Sequence, residues 1–158
     1  MKKFLSVLVT TALVSVATQL PSQADEAKKN YVGVGATFIG DTTGLGVVSK
    51  IGVAENISVR PFVSILGSSG DTSLYIAGVS ATYDFNLSNA DLTPYAGLGY
   101  SSIGVTDGNA TANLVSSFYA EVGADYNVSD SFTINGTYRY FFAGNDGGSL
   151  GLGVGYRF

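Results

Sequence analysis

Beyond residue 30, the chain alternates between apolar residues and small or polar residues, and clusters of turn-forming residues interrupt this alternation at regular intervals. A two-residue period is the pattern of a β-strand, and no helical period of 3.6 residues occurs in this part of the sequence. Most of these stretches are about 9–11 residues long, which is the length that a tilted strand needs to cross a membrane. The predicted strands are Tyr31–Ile39, Leu45–Val53, Ile57–Leu66, Leu74–Phe85, Leu92–Ile103, Val115–Val128, Phe132–Phe142 and Ser149–Phe158.

The connections between the predicted strands consist mostly of Gly, Asn, Asp, Ser and Thr, which favour turns. They are too short for the crossovers of a dozen or more residues that parallel strands require, so successive strands must be antiparallel. The sequence therefore predicts an up-and-down meander of eight strands. A soluble barrel or sandwich would share this meander, and only the two faces of the strands distinguish it from a membrane barrel.

The two faces of the predicted strands differ in charge and in bulk. One set of alternate residues is apolar, includes about a dozen Phe and Tyr, and contains no charged residue. The opposite set is rich in Gly, Ser and Thr and holds every charged residue of the strands, namely Lys50, Arg60, Asp84, Glu121, Asp125, Arg139 and Arg157. The interior of an eight-stranded barrel has room for only a single packed layer of side chains, so the bulky apolar set must face outward. The charged set is therefore predicted to form an ion network in the lumen.

The outward aromatic residues are predicted to gather near the two ends of the strands, with Ala, Val, Leu and Ile between them. One group comprises Phe38, Tyr75, Tyr100, Phe118 and Tyr140, and the other comprises Tyr83, Phe85, Tyr126, Phe132, Tyr156 and Phe158. Two aromatic belts around an aliphatic band are typical of proteins that span a membrane. The predicted fold is all-β, an eight-stranded antiparallel up-and-down transmembrane β-barrel over residues 31–158.

The register of the sixth and seventh strands predicts an ion pair inside the barrel. If Tyr126 lies opposite Phe132, Glu121 and Arg139 become diagonal neighbours on the lumen face, about 7–8 Å apart between Cα atoms. An arginine can bridge that distance to a carboxylate. We therefore expect Glu121 and Arg139 to pair.

The register of the second and third strands predicts a second contact between lumen charges. Around the connection at residues 54–56, Lys50 falls directly opposite Arg60, and two like charges in this arrangement repel each other. They must find acidic partners across the lumen. Asp84 and Asp125, near the same end of the barrel, are the predicted partners.

Residues 1–24 have the parts of a cleavable export signal: two N-terminal lysines, an uncharged apolar run, and small residues before a cleavage site after Ala24. The apolar run is shorter than the about 17–25 residues of a membrane-spanning helix. A cut after Ala17 is the alternative, but it would leave the apolar Leu20 in the mature tail. Cleavage after Ala24 leaves residues 25–30 as a short periplasmic tail before the barrel.

The amino-acid composition excludes several classes of binding partner and of active site for this protein. Charged residues make up 13% of the chain, against about 25% in soluble domains. The formal charge is −4, and it becomes −6 when Lys2 and Lys3 leave with the export signal. Nucleic acid is not an expected partner, because binding phosphates requires a basic surface.

Two residue types are absent from the sequence. The absence of Cys excludes disulfides and a lipid anchor on cysteine, and the absence of His removes the usual hydrolytic dyads and His-based metal sites.

Two carboxylates of the lumen set raise the alternative of acid–base catalysis. Glu121 and Asp125 lie two alternations apart on one face, as paired catalytic carboxylates do. Basic side chains share the same lumen, however, and buried charges of both signs normally pair. We therefore expect ion pairs here, and no enzymatic activity, cofactor or metal.

Three segments of the sequence carry a resemblance to known proteins. They read LTPYAGLGYS from Leu92, YAEVGADYNVSDSFTINGTYRYF from Tyr119, and GLGVGYRF at the C-terminus. With them, the chain resembles the small outer-membrane barrel family that includes the OmpA transmembrane domain, OmpX and the Ail-type adhesins. The resemblance implies a bacterial outer-membrane location, contact with lipopolysaccharide and lipid, and a monomeric state. It also implies a C-terminal signal for the outer-membrane barrel assembly machinery, formed by Leu152, Val154, Tyr156 and Phe158.

The sequence departs from this family in two respects. No peptidoglycan-binding domain follows Phe158, so the wall-anchoring role of full-length OmpA is not expected. The presumed outside loops are also short and acidic, whereas adhesive members often carry long or strongly basic ones. The expected function is that of a non-enzymatic integral barrel that contributes to envelope integrity or to surface presentation and adhesion. The alternatives are a narrow porin-like channel and a soluble secreted barrel that binds a small apolar ligand.

Overall fold

The computed structural model describes residues 30–87, 91–107, 110–142 and 147–158. These residues form a closed barrel in which each strand pairs antiparallel with the next and β8 pairs with β1. The strands are β1 Tyr31–Ile39, β2 Thr42–Ala54, β3 Ile57–Ser69, β4 Thr72–Asp84, β5 Leu92–Thr106, β6 Thr111–Asn127, β7 Phe132–Phe141 and β8 Gly147–Arg157. The predicted eight-stranded antiparallel barrel is confirmed. The predicted export signal and its cleavage site lie outside the described residues.

Several strands extend further than predicted at the end of the barrel that carries the β1–β2, β3–β4, β5–β6 and β7–β8 connections, which we call the outer end. Thr42, Ser69 and Thr111 continue the strands where composition indicated a turn, because Thr and Ser are also compatible with extended backbone. The β1–β2 and β3–β4 connections consequently shrink to tight turns. Gly40 and Gly70 adopt positive φ angles of 54° and 58° there, which glycine reaches without steric cost.

The two faces of the strands are oriented as predicted. On β4, Val79 is 46% exposed on the outside, whereas its neighbour Ser80 is 3% exposed. On β6, Val122 is 54% exposed and its neighbour Glu121 is 2% exposed. The apolar set therefore forms the outer surface, and a soluble barrel would not present such a surface to water. Among the described residues, no helix is long and apolar enough to cross a membrane.

Aromatic rings pack against each other near both ends of the outer surface. Tyr100 and Phe118, on β5 and β6, lie toward the outer end with ring centroids 5.1 Å apart. Phe132 and Tyr156, on β7 and β8, lie toward the opposite end with centroids 5.8 Å apart. The arrangement agrees with two aromatic belts, which place a barrel at fixed depth between two membrane interfaces.

Lumen-facing glycines make room for aromatic side chains on the neighbouring strands. The rings of Tyr95 and Tyr119 lie against Gly123 and Gly99, their direct cross-strand partners on β6 and β5. A Cβ atom at either glycine would collide with the ring. The frequent glycines of the lumen face thus let large side chains lie along the wall of a narrow barrel.

Candidate functional site

The inward face of the barrel carries four charged side chains that contact one another directly. Lys50 Nζ lies 2.8 Å from Asp84 Oδ2 and 3.1 Å from Asp125 Oδ2. Arg60 Nη2 lies 3.0 Å from Asp84 Oδ1 and 2.9 Å from Asp125 Oδ2. All four residues are at most 5% exposed. We call these four residues the basal ion network, and they lie toward the end of the barrel at which β1 begins.

Neutral side chains complete the hydrogen bonding of the two aspartates. Asp125 Oδ1 accepts hydrogen bonds from Tyr31 Oη at 3.2 Å and from Asn135 Nδ2 at 2.8 Å. Asp84 Oδ2 accepts a hydrogen bond from Ser58 Oγ at 2.6 Å. Buried charges are tolerated when they are paired and hydrogen-bonded in this way, so the network is a satisfied structural unit.

A second ion pair lies further along the lumen, toward the outer end. Arg139 Nε lies 3.2 Å from Glu121 Oε2, and Ser80 Oγ donates a hydrogen bond to Glu121 Oε1. The guanidinium of Arg139 also lies over the ring of Phe62, with Cζ 3.9 Å from the ring centroid. A cation over an aromatic face is attracted to it, so this contact further fixes the Arg139 side chain.

The Glu121–Arg139 pair is present, but the register from which it was predicted is wrong. Glu121 lies directly opposite Arg139, and Tyr126 lies opposite Ile134 rather than Phe132. The cause is a wider turn than the sequence suggested. Ser129 Oγ accepts hydrogen bonds from the N–H groups of the two residues at the end of this turn, which stabilises the longer connection.

Lys50 and Arg60 meet the two aspartates that the sequence analysis assigned to them. The flanking pairs Val48–Phe62 and Ile51–Val59 put the two cations in the predicted opposite register. Repulsion between them is offset because each cation contacts both Asp84 and Asp125.

Arg157, the last of the predicted lumen charges along the chain, lies at the end of β8. Its side chain is partly exposed at the rim, and Nη1 donates a hydrogen bond to the carbonyl oxygen of Ser129 at 3.3 Å. The membership of Arg157 in the lumen network stays a prediction. Arg157 has the correct parity, but it is the last residue of β8, so its long side chain can reach the adjacent turn.

The sequence analysis missed an apolar cluster inside the barrel. Phe62, Leu66, Ile76 and Tyr119 are buried together, and partly buried hydrophobic residues surround them: Ile39, Val48, Leu74, Ile103 and Phe141. We call these nine residues the apolar layer. Alternation alone could have found them. Seven share the parity of the lumen charges on their strands, and Ile39 and Ile103, on strands without charges, share the parity of the lumen-facing glycines there. The prediction described that face only by its charges, glycines and hydroxyls.

A small cavity lies between the two ionic groups of the lumen. This cavity of about 10 Å³ is lined by residues of both, including Arg60, Glu121, Asn135 and Arg139. A space of this size holds about one water molecule. Within the described ranges, no group of three or more His, Cys, Asp and Glu side chains is arranged to hold a metal ion. The ion pairs and the apolar layer can hold the strands together and occupy the interior of the barrel.

The residues predicted as a C-terminal assembly signal share the outer surface of β8. Leu152, Val154 and Tyr156 are 57%, 50% and 54% exposed, and Phe158 is 44% exposed just beyond the strand. This geometry leaves all four side chains accessible from outside the barrel. Recognition by assembly machinery stays a prediction.

Comparisons with known proteins agree with this architecture. The N-terminal β-barrel domain of Pseudomonas aeruginosa OprF shares 16% sequence identity and a TM-score of 0.61, over 82% of this chain and 96% of that chain. A de novo designed transmembrane β-barrel shares 20% identity and a TM-score of 0.63, over 82% and 94%. Ail, the attachment invasion locus protein of Yersinia pestis, shares 18% identity and a TM-score of 0.53, over 82% and 96%.

At these identities the solved structures establish the fold alone, and no curated protein sequence matches the chain. The sequence profile of the outer membrane protein beta-barrel domain matches residues 9–158, which is most of the chain. It agrees with the closed barrel, the apolar outer surface and the charged interior described above. The chain therefore belongs to the outer membrane protein β-barrel family, whose members are transmembrane barrels of the bacterial outer membrane.

Proposed function

We propose that this protein is a non-enzymatic, non-conducting barrel that contributes to the integrity of the outer membrane. The observation that carries the proposal is that side chains meet across the lumen, as paired charges in one region and as an apolar layer in another. The acidic side chains of the interior contact cations, so none is poised as a free acid or base. The outer surface and the connections are then the parts that meet other molecules.

We also propose how the protein reaches the outer membrane. An export signal is removed after Ala24, and the assembly machinery recognises the outward residues at the C-terminus. The folded monomer contacts lipid and lipopolysaccharide through its apolar band. The exposure of Leu152, Val154, Tyr156 and Phe158 on one face supports this reading, since a partner can contact all four side chains together.

A narrow channel is the alternative function, and conductance separates the two. The small cavity between the ionic groups argues against a continuous water path. Purified protein in planar lipid bilayers should therefore show no discrete conductance steps. Regular steps from the wild-type protein would overturn the non-conducting proposal.

Surface presentation is a second candidate, and the β5–β6 hairpin favours it. Residues 111–116 of β6 are exposed, and among the described residues the stretch 111–117 pairs only with β5. The hairpin thus continues beyond the last β6–β7 contact, in which Phe142 N–H donates to the carbonyl oxygen of Phe118. Such a projection would stand above the membrane at the outer end.

The charge of the outer connections limits what this hairpin would bind. Residues 40–44, 67–73, 104–114 and 143–148 each include one Asp, and none includes Lys or Arg. Ail has been solved in complex with the heparin analogue sucrose octasulfate. For the present protein, the acidic connections favour neutral or basic surface partners over sulfated ones.

A deletion strain tests the role in the envelope. Cells that lack the protein should become more sensitive to SDS and admit more of a hydrophobic dye. Wild-type protein should restore the barrier, and a Val79→Arg variant that assembles poorly should not. Unchanged dye uptake and detergent resistance in the deletion strain would contradict the proposed role.

A further inference from the structure

The apolar layer lies in the outer half of the lumen, beside buried hydroxyl groups such as those of Thr37 and Ser64, and draws on almost every strand. Its nine residues come from β1 through β7: Ile39, Val48, Phe62, Leu66, Leu74, Ile76, Ile103, Tyr119 and Phe141. Phe62 on β3 and Tyr119 on β6 meet across the interior with ring centroids 6.3 Å apart. Tyr119 in turn packs against Phe141 on β7, at 5.7 Å. The layer therefore extends across the barrel.

The ionic groups and the apolar layer would resist ion passage for different reasons. A hydrated ion that reaches Lys50 or Asp84 finds charged and polar groups that can replace part of its hydration shell. The three cations and three anions of the two groups also balance, so the polar region repels neither sign of ion as a whole. An apolar constriction offers no such ligands and excludes water by dewetting.

We propose that the apolar layer, and not the ion network, is the barrier that keeps water and ions from crossing this barrel. The ionic groups brace the strands and set the shape of the inner half. The rings of Phe62 and Tyr119, which belong to one buried cluster with Ile76, seal the outer half. This inference rests on the proposed non-conducting function and assigns that property to named side chains.

Single-channel recording in planar bilayers tests the assignment with two kinds of variant. Phe62→Ala combined with Tyr119→Ala removes the two rings that meet across the lumen. Lys50→Met combined with Asp84→Asn removes an ion pair of the basal ion network and keeps most of its bulk. We expect discrete conductance steps from the first variant and none from the second. Both proteins must first show the heat-dependent gel shift of a folded barrel.

A second apolar variant covers the case in which loss of two rings prevents folding. Ile76→Thr with Leu66→Thr removes less side-chain volume than the loss of two rings and adds two hydroxyl groups to the layer. This variant should also conduct. Folded apolar variants that stay closed would overturn the inference, and so would an ion-pair variant that conducts as well as they do. Conductance of the wild-type protein would instead contradict the proposed function itself.

Discussion

Arg60 on β3 and Asp125 on β6 are joined across the lumen by two parallel hydrogen bonds. Arg60 Nη1 donates to Asp125 Oδ1 at 3.1 Å, and Nη2 donates to Oδ2 at 2.9 Å. A bidentate arginine–carboxylate pair is directional as well as strong. These two residues therefore tie together strands that lie far apart around the barrel wall.

Removing the charge of Asp125 should destabilise the barrel markedly. Asp125→Asn leaves Lys50 and Arg60 with Asp84 as their remaining acidic partner in the basal ion network. Uncompensated buried charge costs about 3–5 kcal/mol where the site is dry. Urea unfolding in lipid vesicles should show a loss of that order.

The control for this experiment is an aspartate outside the lumen. Asp130 is exposed in the β6–β7 turn, so Asp130→Asn should change the free energy of unfolding by no more than about 0.5 kcal/mol. Equal losses for the two variants would mean that the network does not stabilise the fold.

Glu121 and Arg139 should be energetically coupled. Because the two side chains lie directly opposite each other and are buried, losing one leaves the other without its ionic partner. In a double-mutant cycle with Glu121→Gln and Arg139→Met, the coupling should exceed about 0.5 kcal/mol. Additive effects in urea unfolding would argue against a stabilising ion pair.

A charge on the outer surface should be costly in proportion to its depth in the membrane. Val79 lies in the middle of β4, and Val79→Arg should cost roughly 2–4 kcal/mol in lipid. Val53 lies near the end of β2, and Val53→Arg should cost only about 0–1 kcal/mol. Equal unfolding free energies for the two arginine variants would show that this surface does not contact the hydrocarbon layer.

The β5–β6 connection should be accessible from outside the cell. An epitope tag inserted after Asp107 should bind antibody on intact cells, because this connection lies at the outer end beyond the exposed part of β6. The same tag inserted after Asp130 should bind only after the outer membrane is permeabilised. The reverse labelling pattern would show that the barrel has the opposite orientation in the membrane.

The sequence predicted the fold and the faces because both depend on a period of two residues. Val79 and Ser80, as neighbours on β4, had to face opposite sides of the sheet, and the bulk of the apolar set, too large for a narrow lumen, decided which side faced inward. The contacts of Lys50 and Arg60 with Asp84 and Asp125 also followed, since parity and position along the strand confined these four charges to one end of a narrow lumen.

The remaining features depend on contacts that the period does not specify. The β6–β7 register is set by the turn around Ser129, and a different turn length shifts every cross-strand pair. At the end of β8, Arg157 reaches the carbonyl oxygen of Ser129, because a strand end allows a long side chain several directions. The Phe62–Tyr119 contact required knowing which strands face each other across the closed barrel.

Methyl NMR in lipid nanodiscs tests the central claim most directly, that an apolar surface contacts lipid around a filled interior. Val79 and Ile76 lie on the same strand, but Val79 is 46% exposed and Ile76 is 0% exposed. A lipid with a nitroxide on its acyl chain should broaden the Val79 methyl signals and leave the Ile76 signals sharp. A water-soluble paramagnetic agent should affect neither. Equal broadening of both residues by the lipid probe, or broadening of Val79 by the soluble agent, would contradict the account.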